Sequence, residues 1–165
     1  MSSAVVALSG NPRPRSRTAA LALAVARAVV DLGGEGPVVE IELSNRACAE
    51  DELRAILTRA EVAVVASPTY KATYTGLLKS FLDAVPTGGL RGVLGIPVMV
   101  GADRAHALAV DVHLRPLLLE LGAWCPTPGL FVEERALADS ATTIDEWLQT
   151  ARPALELALD ARVAA

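Results

Sequence analysis

The chain has 165 residues, 52% of them hydrophobic and 21% charged, with a formal net charge of −4. That length and apolar content suit one domain (1–165) with a sizeable core and exclude a disordered chain. The negative balance argues against a dedicated nucleic-acid binder, and no apolar run nears the roughly 18 residues that span a bilayer, so a soluble cytoplasmic protein without a signal peptide is expected.

Apolar Ala4 to Leu8 reads as a first strand, and Arg17 to Leu32, rich in Ala and Leu, as the helix that follows it. Gly33-Gly34 supplies a helix stop. From Pro37 to Leu43, Val39, Ile41 and Leu43 alternate with Glu40 and Glu42, the pattern of a half-exposed strand near a sheet edge. A short helix over Asp51–Ala60 precedes the valine-rich run Val62 to Ala66, which reads as a strand buried on both faces. Helix 3 is expected from Thr75 to Val85 and strand 4 from Ile96 to Val100. A long helix over Ala102–Leu121 contains Pro116, which must kink it or mark irregular hydrogen bonding. Trp124 to Val132 holds a last strand interrupted by proline, and Thr142 to Val163 a final helix with a bend at Pro153. Strands alternating with helices specify a parallel sheet covered on both faces, and right-handed crossovers leave the flavodoxin-like order 2-1-3-4-5. Its ligand crevice lies at the carboxyl ends of strands 1 and 3.

The loop Ser9-Gly10-Asn11-Pro12-Arg13-Pro14-Arg15-Ser16-Arg17-Thr18 fills one side of that crevice. Gly10 and two prolines force a tight connection, and Ser16 is placed to cap the helix. Backbone N–H groups converging on a helix N-terminus, joined by Arg13, Arg15 and Arg17, make an anion site. No Gly-x-x-x-x-Gly-Lys-Ser/Thr and no Gly-x-Gly-x-x-Gly occurs, so neither nucleoside triphosphate chemistry nor a dinucleotide-type Rossmann site is indicated. Candidate phosphate contacts are Ser9, Asn11, Arg13, Ser16, Arg17 and Thr18.

Across the crevice, Ser67-Pro68-Thr69-Tyr70-Lys71-Ala72-Thr73-Tyr74 carries two of the six aromatic residues of the chain. Pro68, Thr69, Tyr70 and Lys71 suit a flat, partly polar ligand that needs stacking and hydrogen bonds. Gly101, Ala102 and Asp103 after strand 4 complete the crevice, with Gly101 expected to let backbone N–H groups approach a ligand edge. A phosphate loop facing an aromatic loop fits flavin mononucleotide.

Three motifs carry a family resemblance. Gly10, Pro12, Arg13, Ser16, Arg17 and Thr18 match a Gly-x-Pro-Arg-x-x-Ser-Arg-Ser/Thr phosphate loop; Pro68, Tyr70, Lys71, Ala72, Gly76, Leu78 and Lys79 match Pro-x-Tyr-Lys-Ala-x-x-x-Gly-x-Leu-Lys; a third match runs from Ala105 to Pro116. On these the chain resembles the NAD(P)H-dependent FMN reductases of flavodoxin-like fold, most closely the branch that serves sulfonate monooxygenases. The resemblance implies FMN held by the first two loops, NADPH or NADH as hydride donor, transfer to flavin N5 with no side-chain acid or base, and release of reduced flavin to a partner monooxygenase. Helix 4 is apolar over more than one face, through Leu108, Val112, Leu117, Leu118 and Leu119, so its excess is expected to be buried in a homo-dimer or homo-tetramer. Three positions depart from the family: Val100 and Ala102 in Val100-Gly101-Ala102 replace the Thr and second Gly of Thr-Gly-Gly, and Val112 stands where sulfonate-linked relatives carry a tyrosine at a π-helical turn.

Two other chemistries share this fold: an FMN-bound reductase of quinones, azo dyes or metal oxyanions, and a flavodoxin-like electron carrier without nicotinamide activity. The arginine-rich loop and the modest charge disfavour the carrier. Cys48 and Cys125 have no paired spacing and read as packing thiols, while His106 and His113, two helical turns apart, are too distant to share a metal ion.

Overall fold

Alternate residues of the first strand face opposite sides of a sheet, and the sequence supplies apolar groups for both. In the computed structural model, which describes residues 4–34, 36–45 and 49–163, β1 (Val5–Ser9) puts Val5 and Ala7 in one core and Val6 and Leu8 in the other. It pairs in parallel with β2 (Val38–Glu42) on one side and β3 (Val62–Pro68) on the other. β4 (Leu94–Gly101) and β5 (Leu130–Glu133) continue the sheet in the order β2-β1-β3-β4-β5. β2 is the half-exposed edge expected of its alternation, and β3 is buried throughout its length.

One face of the sheet carries α1 (Arg17–Asp31) and α5 (Ser140–Val163), packed through residues such as Leu21, Val25, Leu148 and Leu155. The other carries α2 (Glu50–Thr58), α3 (Gly76–Asp83) and α4 (Arg115–Glu120), through Leu57, Phe81, Leu82 and Leu118. Among the described residues no helix is long and apolar enough to cross a membrane. Cys48 lies outside the described residues. Cys125 is buried, and that burial pushes its thiol up to about 11 against the opposing pull of Arg115.

Two expected elements change shape, and one unexpected element appears. The single long helix over Ala102–Leu121 becomes a 3-10 turn at Arg104–His106, a π turn at Val110–Leu114 and then α4. Pro116 has no N–H to give, and the N–H of Arg115 reaches back five residues to the carbonyl of Val110. The π turn forms although Val112 is not a tyrosine. The last strand contracts to Leu130–Glu133 because Pro126 and Pro128 cannot donate to a ladder, and Trp124 is left as an isolated bridge to Leu94. The connection after β5 forms a 3-10 segment, Glu134–Asp139, that sequence periodicity did not mark. α5 runs through Pro153.

Candidate functional site

The chain leaves β1 into a loop braced from inside. Gly10 presses against α3, where a Cβ would lie 2.6 Å from Leu78 Cβ, so only glycine permits the approach. Buried Asn11 organises the turn: its Nδ2 donates to Thr18 Oγ1 at 3.0 Å, and its Oδ1 accepts from the Arg13 N–H at 2.9 Å. Its own N–H points at Ser9 Oγ, 3.4 Å away. Arg15 adopts φ 50°, and its N–H donates to Glu42 Oε2 at 2.7 Å. Ser16, extended, then caps α1 by accepting the Ala19 N–H at 3.1 Å. The opening N–H groups of α1, at Arg17 and Thr18, precede the first intrahelical acceptor and carry the positive end of the helix dipole.

The facing loop leaves β3 at Pro68. The Thr69 N–H donates to the Val100 carbonyl at 2.7 Å, tying the loop to β4. Tyr70 and Thr73 exchange backbone hydrogen bonds of 2.8 and 3.2 Å across a two-residue turn in which Lys71 (φ 52°) and Ala72 (φ 67°) are both left-handed. Glycine or asparagine normally fills such positions, so this turn stores strain while holding the Tyr70 ring 46% exposed. Thr75 closes the loop onto the first one: its hydroxyl donates to the Gly10 carbonyl at 2.6 Å and accepts the Leu78 N–H as cap of α3.

Between the loops lies a cleft of about 260 Å³ at the carboxyl ends of β1, β3 and β4. Of the residues expected to bind ligand, Asn11, Arg13, Ser16, Arg17, Thr18, Pro68 and Tyr70 line it. Thr69 is outside the lining; its hydroxyl oxygen is buried without a hydrogen-bond partner, on the side of Gly101. Ser9 is buried beneath the loop, and Lys71 is exposed at the turn. The β4 residues behave differently from expectation. Val100, not Gly101, lines the cleft. The bare α-carbon of Gly101 is occupied by Phe131, whose Cζ would lie 2.6 Å from a Cβ there. Asp103 spends its carboxylate on the Ala105 N–H at 2.7 Å, capping the 3-10 turn, and Ala102 is exposed outside the cleft lining.

Sequence reasoning missed Glu134 and Leu137, which reach the cleft from the connection after β5. Both sit on the 3-10 segment, which leads toward α5 on the α1 face of the sheet. The Arg17 guanidinium contacts the Glu134 backbone oxygen at 3.4 Å and its Oε2 at 3.5 Å. No local motif signals this contact. Among the described residues no three His, Cys, Asp or Glu side chains gather as a metal site.

An anion-receptive loop and an exposed tyrosine facing each other across a polar cleft suit a ligand with a phosphate tail and a flat ring. The residues present therefore fit FMN, through the arginine-bearing loop at the start of α1 and the Tyr70 ring. Comparison with known proteins agrees. Residues 3–137 match the family model for NADPH-dependent FMN reductase. An FMN reductase (NADPH) of Pseudomonas putida is 32% identical over 146 residues, covering 81% of this chain and 73% of that protein. Its Escherichia coli counterpart is 40% identical over 83 residues, covering 50% of this chain and 44% of that protein, so the matched part is under half of that relative's length. Among solved structures, the apo form of an NADH:FMN oxidoreductase superposes with a TM-score of 0.79 at 28% identity, covering 98% of this chain and 89% of that one.

Proposed function

The chain belongs to the NADPH-dependent FMN reductase family, and from that premise we propose that it reduces FMN at the expense of a nicotinamide nucleotide. The observation that carries this reading is the cleft itself, where Arg13, Arg15, Ser16, Arg17 and Thr18 face Tyr70. When bound, FMN supplies the redox centre and accepts hydride from the nucleotide. The chain's own residues then hold and orient.

Ser16 and Arg17, with the opening N–H groups of α1, hold the phosphate, and Arg13 adds a second cationic contact. The strained turn at Lys71-Ala72 presents the Tyr70 ring to the isoalloxazine. Donor and acceptor need only be held face to face at about 3–3.5 Å, so no side-chain acid or base is required. Similar proteins are named for NADPH and for NADH, and either nucleotide serves in this reading.

The cleft is open and its arginines are exposed, which favours FMN as an exchanging substrate whose reduced form passes to a separate flavin-dependent monooxygenase in the cytoplasm. Leu108 before the π turn, Val112 on it and Leu119 on α4, exposed by 74%, 59% and 47%, are an apolar excess that a homo-dimer or homo-tetramer would bury. The test is a steady-state assay crossing NADPH and NADH with FMN, FAD and riboflavin. Nucleotide oxidation that depends on added FMN is expected. Absence of oxidation with either nucleotide would return the chain to the electron-carrier class.

A further inference from the structure

We infer that Glu134 competes with the flavin phosphate for Arg17, and so sets how tightly FMN is held. This rests on the FMN reductase reading and adds to it a residue that discriminates between phosphorylated and unphosphorylated flavin.

Among the described residues that line the cleft, Glu134 is the one acidic side chain, beside three arginines. Its neighbour Glu133 is paired with Arg135 at 2.7 Å, so the two carboxylates are not interchangeable. Glu134 turns instead to Arg17, which lies 117 residues away in the chain, with both its carbonyl oxygen and its carboxylate. The contacts are long, at 3.4 and 3.5 Å, and the two side chains are 67% and 53% exposed. Such a pair adds little to stability and exchanges readily for a better partner. A phosphate oxygen is a better partner for a guanidinium than a carboxylate at that distance.

Phosphate entry therefore has two costs that a neutral residue at position 134 would remove. The incoming anion must take Arg17 away from Glu134, and it must then sit beside a carboxylate on the cleft wall. Both costs act on the phosphate alone. The flavin ring, on the Tyr70 side, is indifferent to them. The effect is a lowered FMN affinity, as befits a flavin that must leave after each turnover.

The test is equilibrium titration of flavin fluorescence with the purified chain at low and moderate salt. Glu134→Gln should tighten FMN binding roughly three- to tenfold at low salt, with a smaller gain as salt screens the charge. Riboflavin affinity should stay unchanged in the same variant. In an Arg17→Ala background, Glu134→Gln should gain less, because the competition for the guanidinium is gone. Unchanged FMN affinity in Glu134→Gln, in a chain that prefers FMN to riboflavin, overturns this inference and leaves the reductase reading standing. Equal tightening of both flavins overturns it as well. A chain that binds neither flavin overturns both.

Discussion

The Thr75 hydroxyl donates to the Gly10 carbonyl at 2.6 Å, so the cap of α3 is also the clasp between the two loops of the cleft. The same oxygen accepts the Leu78 N–H at 3.1 Å, and the Thr75 N–H donates to Ser67 Oγ at 3.0 Å. One buried side chain thus couples local helix capping to the geometry of the site.

Thr75→Val removes the cap and leaves the Gly10 carbonyl without its donor. It should cost about 1–3 kcal/mol in chemical denaturation. FMN and riboflavin should weaken together, because the fault lies in loop placement and not in phosphate contact. Thr75→Ser, which keeps the hydroxyl, should restore most of both properties.

The phosphate contacts separate by ligand. Arg17→Ala should weaken FMN roughly 10- to 150-fold, the worth of one charge-assisted hydrogen bond, with little change for riboflavin. Because Arg17 is exposed, the melting temperature should hardly move. Ser16→Ala is a less clean probe, since Ser16 Oγ also caps α1. That variant should lose about 0.5–2 kcal/mol of stability along with FMN affinity.

Tyr70→Ala tests the aromatic side. A ring 46% exposed has little packing to lose, so stability should change by far less than the roughly 3 kcal/mol that a buried aromatic costs. Flavin binding or nucleotide turnover should fall. A large drop in melting temperature with unchanged kinetics would show that Tyr70 is structural.

Assembly can be tested on and just before the π turn. Val112→Asp or Leu108→Asp places charge on the apolar excess and should convert an oligomer to smaller species in light scattering. A wild-type chain that is monomeric at micromolar concentration would defeat the proposed role of this surface.

Cys125 predicts an alkaline limit. The thiol is pushed from 9.0 up to about 11 in the fold, so the unfolded chain gives up its proton first. Stability from this group is present below pH 9 and is lost as pH rises toward about 11, by up to roughly 3 kcal/mol. Cys125→Ala should lower stability at neutral pH and flatten the decline between those two values in denaturant melts. In folded wild type, Cys125 should resist alkylation, read on its own peptide by mass spectrometry.

Much of this protein was legible in its sequence because the governing rules are local. Alternation in Val39 to Leu43 placed an edge strand, a valine run placed β3, and Ser16 capped α1 where a serine before an apolar helix should. The strand order followed from those elements and the handedness of crossovers. Pro116 announced irregular bonding without saying which kind; the π turn needed the packing of Val110 and Leu114 into the core to choose it.

What the tertiary structure alone decided are meetings between distant segments. Gly101 read as an opening for ligand, yet its missing Cβ makes room for Phe131 on the neighbouring strand. Glu134 carried no motif at all, and it faces Arg17 because the connection after β5 packs on the same side of the sheet as α1. Periodicity, capping and turn chemistry act over a few residues and can be read along the chain. Which side chains fill a cleft depends on how whole helices pack across the sheet, and no single stretch of sequence contains that information.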